Sequence, residues 1–161
     1  MCINCGAGSW SSVIGATSAS TCINCIPGTY SEIEQATSAT ACISCPAGTF
    51  SSVTGSNIIF HCNACNAGTW SSVIGSTSAS FCQQCAAGTY SSSLASSSSA
   101  VCHKCQAGTW SSTASSACKN CNLGTYSSEI GASTCQPCPS GTTTADFASA
   151  SISECQRKLV Y

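Results

Sequence analysis

The sequence has very little charge. Of its 161 residues only 6% are Asp, Glu, Lys or Arg, four basic against five acidic, for a net charge of -1. A soluble protein ordinarily carries about a quarter of its residues as charges. No basic patch is available, which argues against nucleic acid as a partner. Large apolar residues are also sparse, so the dense set of Leu, Ile, Val and Phe that builds a single folded core is missing. No apolar run approaches the length of a membrane span, and no segment keeps a helical period. There is no N-x-[ST] sequon, and Met1 is followed at once by Cys2 with no basic-then-apolar leader between them.

The groups of a reaction centre are missing too. The acids are Glu32, Glu34, Glu129, Asp146 and Glu154, and they form no convergent set with a base or a nucleophile. Glu32 and Glu34 share one face of an extended segment and read as a solvated pair. No nucleophile elbow, phosphate loop or calcium loop is present. The reading is a protein that is not an enzyme and needs no cofactor.

What the chain does have is cysteine, 17 of them, with Ser and Thr making up about a third of the residues. Such a cysteine content marks a disulfide scaffold, in which covalent staples stand in for a core. The cysteines are periodic. The first members of successive C-x-x-C pairs are Cys2, Cys22, Cys42, Cys62, Cys82 and Cys102, a 20-residue step, and the step then shortens to Cys118, Cys135 and Cys155. A Gly follows each second Cys by three residues, from Gly8 to Gly141, then a Ser or Thr, then an aromatic. The aromatics are Trp10, Tyr30, Phe50, Trp70, Tyr90, Trp110 and Tyr126, with Thr143 in that place in the last repeat. A second Gly recurs further on, at Gly15, Gly55, Gly75 and Gly131. The segment from Gly8 nearly recurs from Gly68, a 60-residue super-period that suggests duplication of a three-repeat block.

The runs "GTYSS" and "GTWSS" favour strand and are bounded by Gly, and the mid-loop Gly permits a reversal. The predicted fold is small disulfide-rich β: residues 1–161 form one tandem array of about eight short β-hairpin repeats stacked as a rod. One aromatic and one or two aliphatics per repeat, such as Val13, Ile14, Val73, Ile74, Leu94 and Ile130, are expected to be covered by stacking of neighbours. With two strand layers per repeat the rise would be roughly 10 Å, from the ~4.8 Å strand spacing.

Spacing alone leaves connectivity open. Joining the second Cys of each pair to the first of the next gives Cys5–Cys22, Cys25–Cys42, Cys45–Cys62, Cys65–Cys82, Cys85–Cys102, Cys105–Cys118, Cys121–Cys135 and Cys138–Cys155. This is the preferred pattern, because it closes eight loops and leaves only Cys2, whose partner would belong to an upstream repeat. On that ground the chain reads as an excerpt of a longer array. Bonding within each C-x-x-C would orphan Cys155 and put eight labile redox pairs in a row. Bridging between more distant repeats stays open. Zinc is the competing use of C-x2-C pairs. Against it, the cations Lys104, Lys119, Arg157 and Lys158 are absent from the first five repeats, 17 cysteines do not divide into tetrads, and His61 and His103 have no partner His.

With so few charges, hydroxyls alone keep the chain soluble, or they carry sugar, or the surface is covered in an assembly. Candidate O-glycan acceptors are Thr17, Ser18, Ser20, Thr21, Ser76, Thr77, Ser78, Ser80, Ser96, Ser97, Ser98, Ser99, Thr142, Thr143 and Thr144. The aromatic row reads as stacking core or, if exposed, as a sugar-binding or subunit-contact face.

The stretches "CISCPAGTFSSVTG" from Cys42 and "CQQCAAGTYSS" from Cys82 resemble the ephrin-receptor-like cysteine-rich repeat, which is itself distantly similar to the tumour-necrosis-factor-receptor module. Cysteine-periodic surface antigens of protists are similar as well. The resemblance implies an extracellular, disulfide-bonded β-module that occurs in tandem on surface proteins and is not catalytic. This sequence is more regular and richer in Ser than that pattern, and often lacks Pro after the second Cys. Those departures favour a structural role, as a self-associating filament subunit or part of a longer rod. The alternative is a receptor stalk or ligand-binding ectodomain, and a zinc protein is the third reading.

Overall fold

The computed structural model describes residues 4–157. They form eight small two-stranded antiparallel hairpins in sequence, with no α-helix among the described residues. Eight disulfides close eight consecutive loops. Loop 1 is Cys5–Cys22, loop 2 Cys25–Cys42, loop 3 Cys45–Cys62 and loop 4 Cys65–Cys82. Loop 5 is Cys85–Cys102, loop 6 Cys105–Cys118, loop 7 Cys121–Cys135 and loop 8 Cys138–Cys155. Contacts divide the chain into two compact units. One is Met1–Cys65 with Ser71–Gln83 and Ala95–Ser98, and the other is Asn66–Trp70 with Gln84–Leu94 and Ser99–Tyr161.

Each loop opens with a turn that the sequence spells out. In Ile26-Pro27-Gly28-Thr29 the Thr29 N–H donates to Ile26 O at 3.1 Å, and Gly28 stands at φ +81°. Pro at the second position and Gly at the third are the residues such a turn selects. The Thr29 hydroxyl donates to the same Ile26 carbonyl at 2.7 Å, and the Ser or Thr of every other repeat does likewise, from Ser9 to Thr142. This double closure accounts for the Ser or Thr after each Gly. A two-residue strand follows, such as Thr29–Tyr30, paired with the spacer of the next C-x-x-C, Ile43–Ser44.

The return limb ends in a single 3-10 turn in loops 1 to 5 and loop 8. Its starting residue is often a capping Ser: Ser18 accepts from Ser20 N–H and Ser38 from Thr40 N–H, and Ser151 forms a full capping box with Glu154. The following Cys donates its N–H to the first carbonyl of the turn, Cys22 to Ala19 and Cys42 to Ala39. That bond aims each disulfide sulfur back at its partner. In loops 6 and 7 the cysteines stand only 13 and 14 positions apart, and the 3-10 turn is missing. Length is therefore adjusted on the return limb.

Successive loops join chiefly through backbone. In the first unit, Gly8 N–H donates to Ser31 O and Gly28 N–H to Ser51 O, both at 2.8 Å. Ser31 N–H donates to Ser56 O and Ser51 N–H to Ser76 O, while Gly55 N–H reaches back to Cys25 O. The second unit repeats these bonds, with Gly88 N–H on Ser111 O, Ser91 N–H on Ser115 O and Gly131 N–H on Cys105 O. Loops two apart also touch. A Cβ built on Gly8 would lie 2.2 Å from Gly55 O, and one on Gly28 would lie 2.2 Å from Gly75 O. In the second unit Gly88 lies in the same way against Gly131 O and Gly108 against Ala148 O. In loops 1 to 6 the Gly three residues after the second Cys is thus a bare seat for a carbonyl.

Such close approach leaves room only for small side chains. The buried residues are the second cysteines (Cys25, Cys45, Cys65, Cys85, Cys105 and Cys121), with Ala16, Ala36 and Ala132 and a series of serines. Ser31, Ser51 and Ser111 have 0% exposure, yet no buried side-chain N or O among the described residues lacks a partner. The Ser51 hydroxyl accepts from Val53 N–H, and the Ser111 hydroxyl donates to Thr89 O at 2.9 Å. The expectation that stacking would cover the aliphatics is corrected here. Val13, Ile14, Val73, Ile74, Leu94 and Ile130 are all exposed, Ile14 by 99%. Their place in the loop lies outside a core made of backbone, sulfur and hydroxyl.

Candidate interaction surface

The eight disulfides hold 16 cysteines, so no described cysteine is a free thiolate. Their Cα–Cα distances of 5.5 to 5.7 Å lie at the centre of the range for such bonds. Cys2, read as bonding an upstream repeat, lies outside the described residues. No cluster of three or more His, Cys, Asp or Glu suited to a metal ion occurs among the described residues.

The aromatic row is neither core nor a fully open face. Trp10, Tyr30, Phe50, Trp70, Tyr90 and Trp110 are half-buried, and Tyr126 alone is buried. Each strand aromatic stands opposite a residue of the C-x-x-C spacer: Trp10 opposite Ile23, Tyr30 opposite Ile43, Phe50 opposite Asn63. In the second unit those opposite residues lie against the rings. His103 tilts against Tyr90 with centroids 6.1 Å apart, and Lys119 Nζ sits 5.4 Å above the Trp110 ring. Around Trp10 the surface stays open as a depression of about 300 Å³, lined by Trp10, Ile23, Ile26 and Ala39.

The hydroxyls divide by access. Thr17, Ser18, Ser20, Thr77, Ser80, Ser97, Ser98 and Ser99 are exposed, and Thr21, Ser78, Thr142 and Thr143 are half-buried. Ser76, Ser96 and Thr144 are buried and leave the set of candidate acceptors, since a sugar has no room there. Ser76 Oγ donates to Val73 O, and Thr144 Oγ1 accepts from Gly124 N–H in place of the carbonyl used in other repeats.

One Ser–His contact calls for a decision. Ser56 Oγ lies 2.9 Å from His61 Nδ1 and 3.2 Å from Ile58 O. A carbonyl can only accept, so the Ser56 proton is committed to Ile58 O and His61 Nδ1–H donates to Ser56. A nucleophile needs the opposite polarity and an open face, and Ser56 is 0% exposed. The pair is a structural clamp on the return limb of loop 3.

A second clamp acts on the same limb. Glu32 in loop 2 accepts from Ile59 N–H at 3.3 Å, at a limb whose starting residue, Ile58, offers no capping hydroxyl. Both acids are exposed, as read from the sequence, and Glu32 in addition serves as a cap. The sequence does not reveal this cap, because the partners stand 27 residues apart. The limb carries Ile59-Phe60-His61 where loops 1 and 2 carry Ala-Ser-Thr and Ala-Thr-Ala. Phe60 is 83% exposed, more than any other described aromatic.

A comparison with known families matches one described as tyrosine-protein kinase ephrin type A/B receptor-like, over residues 16–62, 38–82 and 108–155. Those matches cover well over half of the chain. The chain belongs to this ephrin-receptor-like family. No curated protein matches it. Its ephrin-receptor-like repeats and dense disulfides, which form and persist outside the cytosol, mark an extracellular cysteine-rich domain. Among the described residues no helix is long and apolar enough to cross a membrane.

Proposed function

We propose that this ephrin-receptor-like chain is an extracellular structural repeat protein, a subunit of a fibre, a cell-surface appendage or a coat. The observation that carries the reading is the backbone ladder between loops, to which side chains such as Ser111 and Thr144 add single bonds. Contacts that use N–H, C=O and a bare glycine do not depend on which side chains surround them, so repeats can be added with one geometry. Head-to-tail association that does not close on itself would extend such an array into a filament, as would further repeats in one chain. Negative-stain images of native material should show elongated particles or fibres. Compact isolated monomers at high concentration would sink the proposal.

The open hydroxyls suit O-linked glycans, which would hydrate a surface with so few charges. Intact mass of the native, non-reduced protein should then exceed the sequence mass by whole sugar units. Peptide mapping should place them on Thr17, Thr77 and Ser97 to Ser99, and not on Ser76, Ser96 or Thr144. A mass equal to the sequence less the disulfide hydrogens would remove the glycan from the reading.

A second reading is the stalk or ligand-binding ectodomain of a receptor or surface antigen. Its support is the variation of the return limbs, from a small-residue turn in loop 2 to Ile59-Phe60-His61 in loop 3 and no turn in loop 6.

A further inference from the structure

The return limb of loop 3 differs from its neighbours in three ways at once. It carries two large apolar side chains where the other 3-10 limbs carry at most one, it presents both to solvent, and it is pinned by two polar contacts, Glu32 to Ile59 and Ser56 to His61. Phe60 is 83% and Ile59 41% exposed. The Glu32 carboxylate holds Ile59 N–H from the adjacent loop, and the buried Ser56 holds His61. A mobile limb would lose entropy on binding, whereas a pinned one has lost it already. An exposed aromatic on a rigid support is the usual composition of a binding hot spot.

Charge indicates what fits there. Glu32 is exposed, lies directly against the backbone of the patch and forms no ion pair among the described residues. Loops 1 to 4 contain no Lys or Arg, so nothing nearby compensates it. A cavity that took Phe60 alone would bury this carboxylate unpaired, which is costly. The matching surface therefore supplies a cation as well.

We infer that Ile59, Phe60 and Glu32 form a docking site for a protein segment that is both basic and apolar: an apolar recess for Phe60 beside a Lys or Arg that meets Glu32. This site is independent of whether the array assembles into fibres, because it lies on a return limb and uses none of the N–H to C=O bonds that join loops.

The test is selection of a random peptide library displayed on phage against the immobilised, fully oxidised chain. Enriched peptides should combine Lys or Arg with large apolar residues. Synthetic copies should bind Phe60→Ser at least tenfold more weakly. Binding to Glu32→Gln should be weaker and less sensitive to salt, since one charge pair is lost. Phe60 is a surface residue, so Phe60→Ser should fold with all eight disulfides, and its native mass and circular dichroism confirm that. The proposal is overturned if no peptide is enriched, if enriched peptides bind Phe60→Ser as well as the parent, or if they lack basic residues. Self-association of the chain in sedimentation runs that Phe60→Ser abolishes would also overturn it, by making a second copy the occupant.

Discussion

Reducing all eight disulfides under otherwise native conditions is expected to unfold the chain completely. Each closed loop of about 15 residues contributes ~3 kcal/mol by restricting the unfolded ensemble. Native domains hold only about 5–15 kcal/mol of net stability, so eight such terms exceed the total at full value and are comparable to it even at half value. Nothing else in the molecule replaces them. The buried side chains are mostly Cys, Ser and Ala, with two Thr and Tyr126, while Ile14, Ile26, Ile74, Leu94 and Phe60 remain largely in water. The backbone ladder cannot hold alone either, since each bond nets only about 1 kcal/mol and the ordering of its residues costs more. The measurement is far-ultraviolet circular dichroism and size-exclusion radius after reduction and alkylation. A native spectrum and unchanged radius would show that the ladder carries the fold and the disulfides only decorate it.

The repeat, the fold class and the extracellular character were legible because they rest on periodicity, and periodicity survives any error about contacts. Spacing ranked the cysteine pairings without closing the question, and it is the structure that joins each second Cys to the first Cys of the next pair. The core was not legible. Hydropathy points to Trp10, Ile14 and Ile74, and hydropathy is a poor guide where backbones meet. Between loops the spacing is set by Gly N–H to Ser C=O bonds near 2.8 Å, and no large side chain fits there. The signal lay in invariance of small residues. Gly8 recurs in register up to Gly141, and Ser11 recurs as Ser31, Ser51, Ser71, Ser91, Ser111 and Ser127. A hydroxyl kept at one register position in a chain full of scattered serines is a buried, bonded hydroxyl. The Glu32 cap on loop 3 was beyond reach, because it exists only once loops 2 and 3 are stacked.

The two kinds of glycine should respond to alanine very differently, although both stand at positive φ. Gly15 has φ +72°, and a Cβ there meets nothing within 4 Å. Its counterparts Gln35, Ala95, Ala114 and Ala148 already adopt φ between 52° and 59°. Gly15→Ala is therefore expected to cost only the left-handed backbone term, about 1–2 kcal/mol. Gly28 has φ +81°, and its Cβ would stand 2.2 Å from Gly75 O and 2.8 Å from Gly75 C. Those are backbone atoms with no rotamer to turn aside. Loops 2 and 4 must separate, which strains the Gly28 N–H bond to Ser51 O and the Cys45 N–H bond to Gly28 O. Gly28→Ala should therefore cost more than about 4 kcal/mol, in the range reserved for disrupted cores. Guanidinium denaturation of the oxidised variants gives the comparison directly, and amide exchange should show faster loss of protection at Ser31, Cys45 and Gly55 in Gly28→Ala only. Equal costs for the two substitutions would mean that the carbonyl seat does not hold alternate loops together. The strict recurrence of that glycine would then reflect its turn alone, since the turn needs positive φ but no close neighbour.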